Sequence, residues 1–337
     1  MIHRKVKPVV LILILFMFML LAVGCPPAEE PAPQDPEPQQ PQEEAQNIDP
    51  SELVGQWVGS NHSNIVLSPA ERDNCVVCHD GGAFAEQITE IDQLEREFPV
   101  STDCRACHTG QGNELMQSGT VSIPSQENVE AGTGAQCLAC HNERKNPTID
   151  DEDRPAPHYS SQAGIYTGTG GIMAEDFDYE TSSHFEIENT CNACHMTPTE
   201  DGWQSHTFAV DNLEAACGDC HRDITDVNLE ANADYDGNGE ATGFQDETEG
   251  LLTLLEEAIS ESIDGGSFES SHGSVVFTDE AGNEIQAPNE AYQAAFNYML
   301  VSNDGSLGIH NPIFVVQLLQ QSYSELTGED VPDADIQ

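Results

Sequence analysis

Five copies of Cys-x-x-Cys-His punctuate the chain, at Cys75–His79, Cys104–His108, Cys137–His141, Cys191–His195 and Cys217–His221. Two thiols separated by two residues can each add to one vinyl group of a single porphyrin, and the histidine that follows meets the iron from the proximal side. Structural zinc sites and redox disulfides also use Cys-x-x-Cys pairs, but neither needs a histidine directly after the second cysteine. The pattern predicts five haem c groups. Their thioether bonds fall at Cys75, Cys78, Cys104, Cys107, Cys137, Cys140, Cys191, Cys194, Cys217 and Cys220, and their proximal iron ligands are His79, His108, His141, His195 and His221.

Such a load of porphyrin constrains the fold. Aromatic residues make up only 6% of the chain, so the haems must supply much of the apolar bulk of the interior. The attachment sites are irregularly spaced and separated by Gly-, Ser-, Thr- and Asn-rich segments, which argues against a strict structural repeat. The expected architecture is mainly α with extensive loops: a haem-organised multihaem cytochrome fold whose attachment region runs from 75 to 221. A C-terminal helical part is expected over 247–327, within one domain spanning 51–331 and followed by a tail at 332–337. Leu251, Leu252, Leu254, Leu255, Ile259 and Ile263 recur near helical spacing, as do Tyr292, Ala295, Phe296 and Met299. Asn311 and Pro312 read as N-cap and first-turn proline of a last helix ending near Leu326.

The eleventh cysteine gives an address. His3, Arg4, Lys5 and Lys7 precede an apolar run from Val9 to Val23, which is shorter than the roughly 18 residues of a spanning helix. The run ends in Leu21-Ala22-Val23-Gly24-Cys25, which resembles the lipobox of bacterial lipoproteins, with Ala22 where leucine is commoner. Residues 1–24 are thus expected to be a lipoprotein signal peptide and Cys25 the lipidated residue. The alternative is an uncleaved anchor helix. Residues 25–50 form a Pro-, Glu- and Gln-rich linker, able to reach on the order of 70 Å if extended as polyproline. Either way the haem domain lies outside the cytoplasm, in the periplasm or at the cell surface, held to a membrane.

Sixty Asp and Glu face ten Lys and Arg, for a formal charge of −50. That balance excludes ordinary nucleic-acid binding, which needs a basic footprint. It suits either docking to basic partners or a solvated acidic shell.

The histidines outside the motifs decide what the irons can do. Five irons need five distal ligands, and His62, His158, His184, His206, His272 and His310 are available besides His3 in the leader. The expected distal ligands are His62, His158, His184, His206 and His310, with His272, in a Ser-Gly context, as the spare. An iron with two imidazoles moves an electron with little rearrangement and offers no open position to substrate. A second motif, Asp234-Tyr235-Asp236-Gly237-Asn238-Gly239, has the alternating oxygens and sixth-position glycine of a calcium loop, and nominates Asp234, Asp236, Asn238, Glu240 and Asp246 as ligands. A plain glycine-rich acidic turn is the alternative.

Four stretches carry a resemblance: PHYSSQAGIYTGTGG from Pro157, SSHFEIENTCNACHM from Ser182, SHTF from Ser205, and AAFNYMLVSNDGSLGIHNPIFVVQLLQQS from Ala294. They resemble multihaem c-type cytochromes of anaerobic respiration, which share haem-packing motifs with the pentahaem nitrite reductase and octahaem reductase superfamily. The resemblance covers most of residues 55–326 and implies that His310 returns as distal ligand to an earlier haem, and that His158 and His206 are also axial. One departure matters: nitrite reductases carry Cys-x-x-Cys-Lys at their catalytic haem, and all five motifs here end in histidine. The function expected is therefore electron transfer between a membrane quinol-oxidising donor and a terminal acceptor or other cytochromes. Two rivals are a reductase of a nitrogen or sulfur oxyanion at one high-spin haem, and a homo-oligomeric subunit of an extracellular cytochrome filament.

Overall fold

A computed structural model describes residues 49–337. The signal peptide, Cys25 and nearly all of the linker lie outside the described residues. Short helices and long loops dominate the first two-thirds. Helix α1 (Pro50–Gly59) opens on Asp49, whose carboxylate accepts from Ser51 N, with Pro50 in the first turn. After α2 (Leu67–Ala70), the attachment motifs sit in or beside single helical turns: α3 (Val76–His79), α5 (Cys104–His108), α7 (Ala135–Cys140), α9 (Cys191–His195) and the end of α10 (Leu213–Cys217). Between them lie α4 (Gly81–Glu86), α6 (Gly110–Ser118), α8 (Gln162–Thr167) and an antiparallel pair, β1 (Thr120–Ile123) with β2 (Gln126–Glu130).

Turns this short have little stability of their own, so side chains brace them. Asp80, wholly buried directly after His79, pairs with Arg96 and accepts from Ala83 N and Val100 N at 2.8 Å each. That fixes the chain as it leaves the first motif.

The last third supplies a conventional core. Helices α11 (Phe244–Ser262), α12 (Asn289–Asp304) and α13 (Pro312–Thr327) bury Leu251, Leu255, Ile259, Tyr292, Phe296, Leu300, Phe314 and Leu318 against one another. The two expected apolar stripes face inward, except that Leu254 is only partly buried. A second, smaller cluster packs Val121, Ile123 and Val129 of the β-pair against Ala135 and Leu138 of α7. No helix among the described residues is long and apolar enough to cross a membrane.

Two expectations need correction. The C-terminal part is not all helix: a three-stranded antiparallel sheet, β3 (Ser267–Ser271), β4 (Ser274–Thr278) and β5 (Glu284–Ile285), separates α11 from α12. Alternation drives it, with Val275 and Phe277 buried on one face of β4. His272 and Gly273 form its two-residue turn at φ 51° and 83°, both left-handed as a type I′ hairpin requires. Asn311 does precede α13, but its side chain makes no capping bond and is engaged elsewhere.

Candidate haem-binding centres

The described chain brings its histidines together in five couples, each joining one motif histidine to one of the six others. The ring centroids of His79 and His158 are 6.1 Å apart, as are those of His141 and His62. Those of His108 and His206, His195 and His310, and His221 and His184 are 6.2 Å apart. Two metal–imidazole bonds of about 2 Å and two ring radii of about 1.1 Å give a centroid separation of about 6.2 Å across a ligated metal. Direct stacking would bring the rings much closer. The residues present therefore fit five bis-imidazole iron sites, and His272, at its hairpin turn, belongs to none of the five couples.

The outward nitrogens are tethered, which orients the rings. His184 Nδ1 lies 2.7 Å from Ile309 O, His195 Nδ1 3.1 Å from Phe208 O, and His206 Nδ1 2.9 Å from Gln204 O. His158 Nδ1 meets Ser160 Oγ at 2.9 Å, and that hydroxyl donates to Cys140 O. His141 Nδ1 faces Gln162 Oε1 at 3.2 Å, and His310 Nδ1 faces Asp304 Oδ1 at 2.6 Å. An Nδ1 held by an acceptor carries the proton and turns Nε2, the free donor, toward a metal. One loop serves three couples. Phe208, at φ 57°, offers its carbonyl to His195 and packs its ring edge-on at 4.4 Å against His62, two residues after His206.

Burial favours the neutral state, the one that ligates, at five of these ten imidazoles. It draws the pKa of His62 down to about 4, with His141 adding to the shift, and that of His158 to about 4 as well. His79, His141 and His195 are lowered for the same reason. His310 shifts the other way: burial alone would lower it, but the Asp304 carboxylate outweighs that and raises it.

Thiol positions show which motifs adjoin. Cys78 of the first motif lies against Cys140 of the third, and Cys137 of the third lies against Cys191 of the fourth. Cys107 of the second is close enough to Cys137 and Cys140 for their charges to interact. Cys194 Sγ reaches Ala216 O, beside Cys217 of the fifth, at 3.9 Å. The third motif is thus central, against the first and fourth with the second nearby, and the fifth extends from the fourth. His108 and His221, in the second and fifth motifs, are the exposed motif histidines.

The loop nominated for calcium gathers Asp234 and Asp236 with Glu247, one ligand oxygen of each lying within 4.8 Å of the others. Glu240 and Asp246 are not in that group. Asp246 instead accepts from Asn228 Nδ2 at 2.9 Å, while the wholly buried Glu247 accepts from Tyr235 N, Asp236 N, and Thr242 N and Oγ1. The start of α11 at Phe244 decides this, because helical phase turns residue 247 back over the loop and residue 246 away.

A family model described as outer membrane cytochrome MtrC/MtrF-like, domains II/IV, matches residues 40–154, the stretch that holds the first three motifs. Among solved structures the outer cell wall cytochrome OcwA has a TM-score of 0.52 at 16% identity, over 82% of this chain and 50% of that one. The chain spans about half the length of that neighbour, and a likeness at this identity shows the fold. No curated protein matches.

Proposed function

We propose that the chain is a multihaem c-type cytochrome that carries electrons outside the cytoplasm over five covalently attached haems. The observation that carries this reading is the set of five histidine couples at one shared separation of 6.1–6.2 Å, each with a Cys-x-x-Cys directly before one member. When bound, each haem supplies a one-electron iron couple. The cysteine pairs fix the position of each group, and the histidine couples fill both axial positions. A filled coordination sphere supports electron transfer over reduction of an oxyanion, which needs an open position.

Adjacent thiols imply a branched route, with the centre at Cys137–His141 as its node and the first, second and fifth motifs as its ends, the second and fifth being exposed. The partners proposed are a membrane quinol-oxidising donor and a terminal acceptor or further cytochromes. Anchoring through a lipid on Cys25 would keep the protein at a membrane or cell surface. The names of the MtrC/MtrF-like model and of OcwA, an outer membrane and an outer cell wall cytochrome, support that placement.

The test is haem stoichiometry and spin state. A pyridine haemochrome assay should give five haem c per chain, and resting spectra should be wholly low-spin. Imidazole planes near perpendicular, as in His62–His141 at 85° and His184–His221 at 80°, should give strongly anisotropic paramagnetic resonance signals. His108–His206, at 24°, should give an ordinary rhombic one. A stoichiometric high-spin signal would favour the reductase instead.

We further propose the loop around Asp234, Asp236 and Glu247 for calcium. Calcium should raise the melting temperature of the native chain and leave that of Asp236→Asn unmoved; an unchanged native melting temperature would remove calcium from the account.

A further inference from the structure

One candidate iron site differs from the others in what faces its distal histidine. His184 and His206 present Nδ1 to backbone carbonyls and His158 to a serine hydroxyl, whereas His310 presents it to the Asp304 carboxylate at 2.6 Å. That carboxylate is 1% exposed. Its second oxygen accepts from the Ser306 hydroxyl and, at 3.3 Å, from Ser306 N, so it is held facing the imidazole. The backbone behind it is fixed as well. Gln162 Nε2 donates to Asp304 O at 2.9 Å, where α12 ends and Gly305 turns the chain at φ 74°.

We propose that Asp304 is a positioning residue that lowers the reduction potential of the iron held by His195 and His310, and so sets a direction along the route. The inference rests on the haem reading above. A buried carboxylate bonded to the N–H of an axial imidazole draws that proton toward oxygen and makes the ring a stronger donor, which favours the ferric state. Its own negative charge, in a low-dielectric interior, acts with the same sign.

The third centre has the opposite surroundings. The Arg144 guanidinium donates to Ala139 O at 3.3 Å and to Cys140 O at 2.9 Å, within the third motif. Neighbouring cations favour the ferrous state. In a chain with so few basic residues, a guanidinium beside the third centre and a buried carboxylate on the fourth make the fourth the more reducing of the two. Gln162 bonds both sides, with Oε1 toward His141 and Nε2 toward Asp304 O.

Spectroelectrochemical titration of the purified holoprotein tests this. Asp304→Asn should raise one of the five potentials by tenfold or more in its reduction equilibrium, about 59 mV for a one-electron couple. It should also alter one low-spin resonance signal, while Asp304→Glu restores both toward the native values. Ser160→Ala, which removes a neutral partner from His158, should shift its centre less. If Asp304→Asn loads incompletely, Ser306→Ala, which takes a donor from the second carboxylate oxygen and strengthens its pull on the imidazole proton, should still move the same potential, downward and by a smaller amount. Five unchanged potentials in a fully loaded Asp304→Asn protein, or in Ser306→Ala where the first variant fails to load, would overturn the inference. Fewer than five haems in the native protein would instead overturn the reading on which it rests.

Discussion

Replacing Cys137 and Cys140 with serine should reduce the haem content from five to four and disconnect the ends of the route from each other. The expectation follows from adjacency: Cys140 lies against Cys78, Cys137 against Cys191, and Cys107 is near both, so the third motif is the common neighbour of three others. Electrons delivered at the fifth motif should then reach the fourth and stop. The matching double replacement at Cys104 and Cys107 also removes one haem but should leave passage between the first and fifth motifs intact. Stopped-flow reduction monitored at the haem bands distinguishes the two, as a stalled fraction of unreduced haem in the first variant and near-native kinetics in the second. Equal effects of the two replacements would mean that the route is not branched at the third motif. Loss of the α7 helix packing is a separate risk, since Leu138 is fully buried beside these cysteines. His62→Ala covers it: the haem should stay attached while a single high-spin centre appears.

The Cys-x-x-Cys-His motifs were legible because the chemistry they suit is local; two thioethers and one ligand on a single ring force one spacing. Their histidine partners were legible only as a set. His62 and His141, or His195 and His310, are brought together by the path of the whole chain, and no periodicity connects them. His184 illustrates the limit, since it lies just ahead of the fourth motif yet couples to the histidine of the fifth.

Helical phase hid Glu247, which differs from Asp246 by one position and 100° around α11. The sheet after α11 was obscured because its strand residues Ser267, Glu269, Ser270 and Ser271 are polar, and only Val275 and Phe277 of β4 enter the core. Asp304 did leave a signal in the sequence, an acidic residue closing an apolar helix six positions before His310. It gains meaning only when the turn through Gly305 folds back on the imidazole.

Asn311→Ala should be among the most damaging single substitutions, costing about 2–5 kcal/mol of stability and disturbing two iron sites together. The side chain is completely buried. Its amide donates to Ile165 O at 3.1 Å and Tyr166 O at 3.2 Å, and its oxygen accepts from Ser182 N at 2.9 Å. These bonds join the end of α8, the approach to His184 and the turn that bears His310. Truncation leaves the Tyr166 carbonyl and the Ser182 N–H without partners and takes one of two donors from Ile165 O, which keeps Gly168 N, and unmade buried bonds cost more than formed ones contribute. The neighbouring backbone is part of the same latch, since Ile309 O takes the Nδ1 proton of His184 while Tyr166 Oη donates to His184 O at 2.8 Å. Slippage at residue 311 therefore moves the His184–His221 and His195–His310 couples at once. Phe314→Ala, one turn into α13, provides the contrast. It removes a fully buried ring and should cost about 3–5 kcal/mol, yet Phe314 bonds neither histidine segment. Denaturant midpoints should fall in both proteins, whereas high-spin intensity approaching two centres should appear in Asn311→Ala alone. Comparable high-spin signals in both would mean that general loosening, and not the Asn311 latch, governs ligation at these two sites.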